Sequence, residues 1–297
     1  MTSATGDRGG GQRGRRGEKR GRGRGSSRGG ARPPLGQHFL TDRRLLARIV
    51  DALDAAPGAP VLEIGAGTGT LTEALVERGL RVIAVERDPV LAETTRTRLV
   101  TKDGSRGSAE IVQGDALALD WHALLGRERA GEVSLIGNIP YQITSPLIEK
   151  ALTAPLPRRV VFLVQAEVAD RLAAAPGSRT YGALSVGVQA VCRVERLFTV
   201  RPGVFRPPPK VASALVRLTP LAEPLISPGE GAAFRRFVTA CFGRRRKQLA
   251  NVVAGVTGRL RTEVEAALVG LGLDPRARPE TLGPEAFVRL LRWSTSL

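Results

Sequence analysis

Apolar positions along the chain fall into stretches of two different periods. In LLARIVDAL (45–53), Leu45, Leu46, Ile49, Val50 and Leu53 recur three and four apart, which predicts an amphipathic helix. Pro60–Ile64 is too short for a helix and predicts a buried strand, which runs directly into the glycine turn GAGTGT (65–70). A helix is expected after it, with Leu71, Ala74 and Leu75 on one face. RVIAVE (81–86) predicts the next strand, and Asp88-Pro89 opens a helix, because proline fits the first turn, where its missing N–H is not needed. IVQGDAL (111–117), SLIGNIPY (134–141) and VVFLVQ (160–165) predict further short buried strands separated by helical stretches. Residues 182–200 read as a helix running into a strand that pairs with ASALVRL (212–218) as an antiparallel hairpin. Beyond Pro220 only helical patterns follow, at 231–242, 245–254, 261–271 and 284–293.

Strands alternating with helices require a mostly parallel sheet covered on both faces, so the predicted class is α/β with a small all-helical part at the C-terminus. The expected division is a tail at 1–33, an α/β domain at 34–220 and a helical domain at 221–297.

Composition narrows the partners. Apolar residues make up 42% of the 297, enough for a sizeable core, and the formal charge is +17. Ten Lys/Arg stand against Asp7 and Glu18 between Met1 and Gly36, so that segment holds +8 and the rest of the chain +9. A protein basic in both parts suits a phosphate-rich partner such as RNA. Residues 1–33 are Arg/Gly-rich with almost nothing to bury. They are expected to be disordered and to bind RNA through charge and guanidinium stacking. Cys192 and Cys241 lie far apart in apolar contexts, without metal-ligand spacing, and read as free thiols of a reducing cytoplasm. No run approaches the ~18 apolar residues of a membrane span. The N-terminus lacks the apolar stretch of a secretory signal, so a cytosolic protein is expected.

The glycine turn carries the first chemistry. Gly65, Gly67 and Gly69 are spaced G-x-G-x-G, whereas dinucleotide-binding turns are spaced G-x-G-x-x-G. With Glu63 two residues upstream, the turn fits an S-adenosylmethionine-dependent methyltransferase better. Glu86 ends the second strand, where a carboxylate can grip both ribose hydroxyls, and Asp115 follows the third, where it can meet the adenine amino group. The decisive motif is Asn138-Ile139-Pro140-Tyr141, after the fourth strand. An adenine amine is a poor nucleophile because its lone pair is delocalised into the ring. The Asn138 side-chain carbonyl and the Ile139 backbone carbonyl can accept its two N–H bonds and direct the lone pair at an electrophile. Pro140 stiffens the backbone that holds the carbonyl, and Tyr141 offers a face for a flipped-out base.

With LGQHFLTD (35–42), GAGTGT, Glu86, Asp115, NIPY, FRPPPKV (205–211) and GRRRKQLAN (243–251) in place, the chain resembles the ribosomal RNA adenine dimethyltransferases over nearly its whole length apart from the tail. The resemblance implies a Rossmann-like class I methyltransferase fold with a mostly parallel seven-stranded sheet. It implies cofactor contacts from Gln37, His38, Leu40, Gly65, Gly67, Gly69, Glu86, Asp115 and Asn138, and a catalytic set of Asn138, Ile139, Pro140, Tyr141 and Phe205, with Phe205 a second stacking partner. At 38 the family more often has Asn, and at 212 this chain has Ala212 in place of the usual Asp. GRRRKQLAN suggests an RNA-facing surface. The implied reaction is dimethylation of adjacent adenosines near the 3′ end of small-subunit ribosomal RNA during ribosome biogenesis, by a metal-free monomer. QAEVADRLAAAPGSRTYGALSV (165–186) and GLGLDPRARPETLGPEAFVRLL (270–291) side with that target. NIPY in place of NLPY, and the Arg-rich tail, side instead with resistance enzymes that methylate large-subunit RNA. A non-catalytic RNA-binding assembly factor is the third reading, and the intact glycine turn, Glu86 and NIPY argue against it.

Overall fold

A computed structural model describes residues 37–100, 107–126 and 130–296. The expected disordered tail, 1–33, lies outside the described residues, as do Leu35 and Gly36 of the LGQHFLTD motif. After a two-residue strand β1 (Phe39–Leu40), helix α1 spans Arg43–Asp51. Asp42 starts it by accepting the Arg44 and Leu45 N–H groups at 2.9 and 3.0 Å. The alternation then follows the predicted order: β2 (Pro60–Ile64), α2 (Thr70–Glu77), β3 (Arg81–Glu86), α3 (Pro89–Val100), β4 (Ser108–Gln113), α4 (Trp121–Leu125), β5 (Ser134–Asn138), α5 (Thr144–Ala151) and β6 (Arg159–Gln165). Helices α6 (Ala166–Leu172) and α7 (Ala183–Gln189) lead into β7 (Cys192–Val200), β8 (Phe205–Arg206) and β9 (Ser213–Pro220). The chain closes with α8 (Gly231–Phe242), α9 (Leu249–Thr257), α10 (Arg261–Gly270) and α11 (Pro284–Thr295).

Among the described residues the strands form a seven-stranded sheet, β4-β3-β2-β5-β6-β9-β7, and a two-stranded ribbon, β1-β8. Strands β4 to β6 are mutually parallel, and β9 runs antiparallel to both β6 and β7, which is the expected hairpin. The chain runs outward from β2 to β4 and then returns to β5 on the other side of β2. That leaves a crevice at the carboxyl ends of β2 and β5, where open α/β sheets bind ligands.

The period of two along each strand divides the core. Leu62, Ile64, Phe162, Val164 and Val216 face one way; Val61, Ile136, Val161, Leu163 and Leu215 face the other, under α1 and α2. Gly137 lets β5 approach β2, because a Cβ there would stand 2.4 Å from the Ile64 carbonyl. The C-terminal helices share the first core: Phe234, Val238, Val252, Val264 and Phe287 belong to the same cluster as Val160 and Phe162. Tyr181 is fully buried there and donates its hydroxyl to the Leu282 carbonyl at 2.9 Å.

Three boundaries differ from expectation, each for a local reason. The segment 111–117 is strand only to Gln113, and Gly114 begins the loop to α4. The segment 134–141 is strand only to Asn138, because Pro140 has no N–H to continue a ladder. The helix expected from 245 begins at Leu249, and Arg244–Lys247 lie in turns, where four consecutive cations avoid the like-charge spacing of a helix.

Candidate active site

The predicted cofactor elements converge. The glycine turn leaves β2, Glu86 ends β3, Asp115 follows β4 and Asn138 ends β5, so the four stand at the carboxyl ends of neighbouring parallel strands. Gly65, Gly67 and Gly69 have φ of 78°, 59° and 78°, in the left-handed region that favours glycine. The turn is held from β3: the Gly65 and Ala66 N–H groups donate to the Val85 carbonyl at 2.8 and 3.1 Å. Glu86, only 6% exposed, accepts the Gly67 N–H at 2.8 Å on one carboxylate oxygen and the Asp88 N–H at 2.9 Å on the other. A carboxylate has room for further donors, so Glu86 is fixed in place with acceptor capacity left for two ribose hydroxyls.

Glu63 is fully buried, and neither carboxylate oxygen has a hydrogen-bond partner. Burial pushes its carboxyl from the ordinary 4.5 up to about 7. The Thr72 hydroxyl pulls the other way, and the Glu86 charge adds a smaller push upward. Asp115 is more open: one oxygen accepts the Leu117 N–H at 2.9 Å, and the other stands 3.7 Å from Arg87 Nη1. A turn with glycine at 65, 67 and 69, flanked by Glu86 and preceded by the buried, unpartnered Glu63, fits a cationic nucleoside such as S-adenosylmethionine.

Strand β1 covers the turn. A Cβ on Gly67 would meet the Phe39 ring at 3.1 Å, and the Leu40 carbonyl accepts the Thr70 hydroxyl at 3.1 Å. The Leu40 side chain is 3% exposed and packs in the core, so only its backbone faces the turn. Gln37 is half-buried at the start of this segment. Phe39, which sequence reasoning did not single out, is the residue whose ring lies over the glycines; its place between His38 and Leu40 was the signal that could have found it. A second residue was also missed. Lys150 of α5 donates to the Leu117 and Leu119 carbonyls at 2.9 and 2.5 Å and sits 4.9 Å from the Trp121 ring centroid. It thereby ties down the loop that begins at Asp115. Burial lowers the Lys150 pKa, with Asp120 and Asp115 opposing the shift.

At the end of β5, the Asn138 Nδ2 donates to the His38 carbonyl at 2.6 Å, and the Ile139 N–H donates to the Leu163 carbonyl at 3.0 Å. Among the described residues nothing donates to Asn138 Oδ1 or to the Ile139 carbonyl, whereas the Pro140 carbonyl is engaged by Ile143 and Thr144. Two acceptors are thus left open at the end of β5. The Tyr141 hydroxyl hydrogen-bonds Ser213 Oγ at 2.9 Å, which fixes the ring from β9. Phe205 is 1% exposed and packs in the core with Leu40, Val200 and Leu215, so it offers no free face to a base as the structure stands, contrary to the expected stacking role; the His38 ring lies 6.5 Å from it at 73°.

A cleft of about 570 Å³, lined by Glu149, Leu184, Val188, Ile226 and Arg235, holds none of the residues named for chemistry. Both cysteines are buried free thiols, pushed up to about 12 by that burial and hence inert. Among the described residues no group of three His, Cys, Asp or Glu could hold a metal, and no helix is long and apolar enough to cross a membrane.

Sheet order, glycine turn, strand-end acids and the open acceptor pair define an S-adenosylmethionine-dependent methyltransferase that acts on an amine. The pattern described as ribosomal RNA adenine dimethylase matches residues 29–290, and the chain belongs to that family. It is 43% identical over 261 residues to Ribosomal RNA small subunit methyltransferase A of Pseudomonas aeruginosa, covering 88% of this chain and 93% of the relative. It is 40% identical over 269 residues to the protein of the same name from Geobacillus kaustophilus, covering 86% and 88%. Among solved structures, a dimethyladenosine transferase from Plasmodium falciparum superposes with a TM-score of 0.73 at 26% identity, covering 85% of this chain and 96% of that one. The 23S rRNA methyltransferase ErmE superposes with 0.65 at 30% identity, covering 86% and 98%.

Proposed function

We propose that this chain dimethylates the N6 amines of adjacent adenosines near the 3′ end of small-subunit ribosomal RNA, as a cytoplasmic monomer acting on small-subunit particles without a metal. The observation that carries the reading is the acceptor pair at the end of β5: the His38 carbonyl engages the Asn138 amide N–H₂, and among the described residues Asn138 Oδ1 and the Ile139 carbonyl are left without a donor. Two N–H bonds of an adenine amine placed there pull its lone pair out of conjugation and towards the glycine turn. When bound, the cofactor supplies a methyl group already activated as a sulfonium, so alignment matters more than a strong base. Tyr141 provides the platform for the base, with its hydroxyl anchored away from it on Ser213. The proton of the methylated amine leaves to solvent.

Residues 34–220 bind cofactor and base in this reading, and 221–297, with Arg244–Lys247, face the RNA. The tail at 1–33 adds affinity without sequence reading, since arginines spaced by glycines contact phosphates but not base edges. A chain starting near Ala31 keeps its target while its salt dependence becomes shallower, by about 0.7–0.9 in log–log slope for each phosphate it no longer neutralises. An unchanged slope refutes that role. The likeness to ErmE favours a second reading, methylation of large-subunit RNA. Labelled S-adenosylmethionine supplied with small-subunit particles and with large-subunit RNA, followed by mapping of the methylated base, decides between them. Label confined to large-subunit RNA overturns the proposal.

A further inference from the structure

His38 makes two separable sets of contacts. Its backbone carbonyl holds the Asn138 amide at 2.6 Å. Its ring lies elsewhere: Nδ1 is 2.8 Å from the Pro207 carbonyl, and the ring centroid stands 5.8 Å from that of Tyr141, tilted 37°, and 6.5 Å from that of Phe205, at 73°. Both separations are those of aromatic pairs in contact. The imidazole therefore touches both rings that the sequence assigns to the target base. While it stays, it takes up space beside Tyr141 that an arriving adenine would use, and Phe205 is held in the core.

We infer that the His38 side chain is an internal stand-in for the target base, filling the stacking place beside Tyr141 until the flipped adenosine displaces it. The carbonyl and the ring then have opposite relations to the substrate. The carbonyl stays and keeps Asn138 aimed, because that bond belongs to the backbone and does not depend on the side chain. The ring leaves by rotating about its own χ angles, giving up the Pro207 contact and the two aromatic contacts. A smaller side chain at 38 removes the competitor without removing the carbonyl. This inference rests on the reading of Tyr141 as the base platform.

The test uses full-length protein on small-subunit particles, with RNA KM, kcat and calorimetric cofactor affinity measured for wild type, His38→Ala, His38→Asn, Tyr141→Ala and the His38→Ala/Tyr141→Ala double variant. With the stand-in removed, the RNA KM of His38→Ala falls about 2- to 10-fold, the factor that one or two aromatic contacts represent when the base must displace them. His38→Asn moves the same way by less, since it keeps a polar partner for Pro207, and it carries the test if the Ala variant folds poorly. In the Tyr141→Ala background the gain disappears, because the ring no longer competes for a shared face. A KM that rises in His38→Ala, or a kcat that falls while KM stays constant, makes the imidazole a wall or an aiming group and overturns the inference. Tyr141→Ala with unchanged KM and kcat overturns the platform reading itself, whatever the His38 variants do.

Discussion

Glu86→Ala tests the cofactor site most directly, because the structure separates two jobs for one carboxylate. Its oxygens accept the Gly67 and Asp88 N–H groups at 2.8 and 2.9 Å, and the side chain is 6% exposed, so water cannot replace it freely. Loss of the charged acceptor for ribose costs about 1.5–3 kcal/mol of cofactor binding, which raises Kd by roughly 10- to 150-fold. The same change leaves two half-buried donors unmatched, the Gly67 N–H on the glycine turn and the Asp88 N–H after β3, at about 1–3 kcal/mol each. Removing the Glu86 charge also relieves Glu63, whose pKa it helps to raise, and this offsets part of the loss. A net destabilisation of about 2–4 kcal/mol is therefore expected alongside the weaker binding. Glu86→Gln keeps the shape and one carbonyl acceptor, so it falls between wild type and Ala in both quantities. Isothermal calorimetry with S-adenosylmethionine and chemical denaturation of all three proteins measure the two effects separately. If denaturation midpoints fall while cofactor Kd stays within about threefold of wild type, Glu86 is a strut for the turn and not a ribose ligand.

Three further outcomes are expected. Asn138→Ala lowers single-turnover methylation by roughly 10²–10³-fold, the scale of one aimed polar group, while calorimetry shows a much smaller change in cofactor affinity; a near wild-type rate refutes the acceptor assignment. Because the Glu63 carboxyl holds its proton more tightly folded than unfolded, its stability contribution is complete below pH 4.5 and is lost as pH rises through about 7. Glu63→Gln is thus more stable than wild type by about 3 kcal/mol at pH 8 and equal to it at the acid end, and parallel melting-versus-pH curves for the two proteins contradict this. Lys150→Met strips the Leu117 and Leu119 carbonyls of a charged donor, lowers stability by about 2–3 kcal/mol and weakens cofactor binding through the loosened Asp115 loop; an unchanged melting temperature in differential scanning fluorimetry removes Lys150 from that role.

The parts legible in the sequence are those in which one short segment carries the whole signal. Strands β2 and β3 have the predicted bounds, because unbroken apolar runs ending at a glycine turn or an acid permit little else. NIPY lies at a strand end, as its proline requires. What escaped depends on distant segments meeting. The β1–β8 ribbon joins Phe39–Leu40 to Phe205–Arg206, and two-residue strands have no periodicity to read. Lys150 looks like any surface lysine of an amphipathic helix until α5 brings it to carbonyls more than thirty residues earlier. Phe205 reads as a stacking residue from its motif, yet its ring is buried in the core against residues such as Leu40, 165 positions away in the chain.

The core that continues from the sheet into α8, α9 and α11 has a mechanical consequence. Phe234, Val238 and Phe287 belong to one buried cluster with Val160 and Phe162, which spans the boundary at Pro220. The turn at Arg244–Lys247 and Asn138 therefore sit in one compact unit, like the jaw and scale of a caliper. On the proposed reading, an RNA must present its backbone and its target base at the matching spacing to satisfy both ends at once. Lengthening or shortening the RNA between those two points is then expected to cost the reaction before it costs the grip.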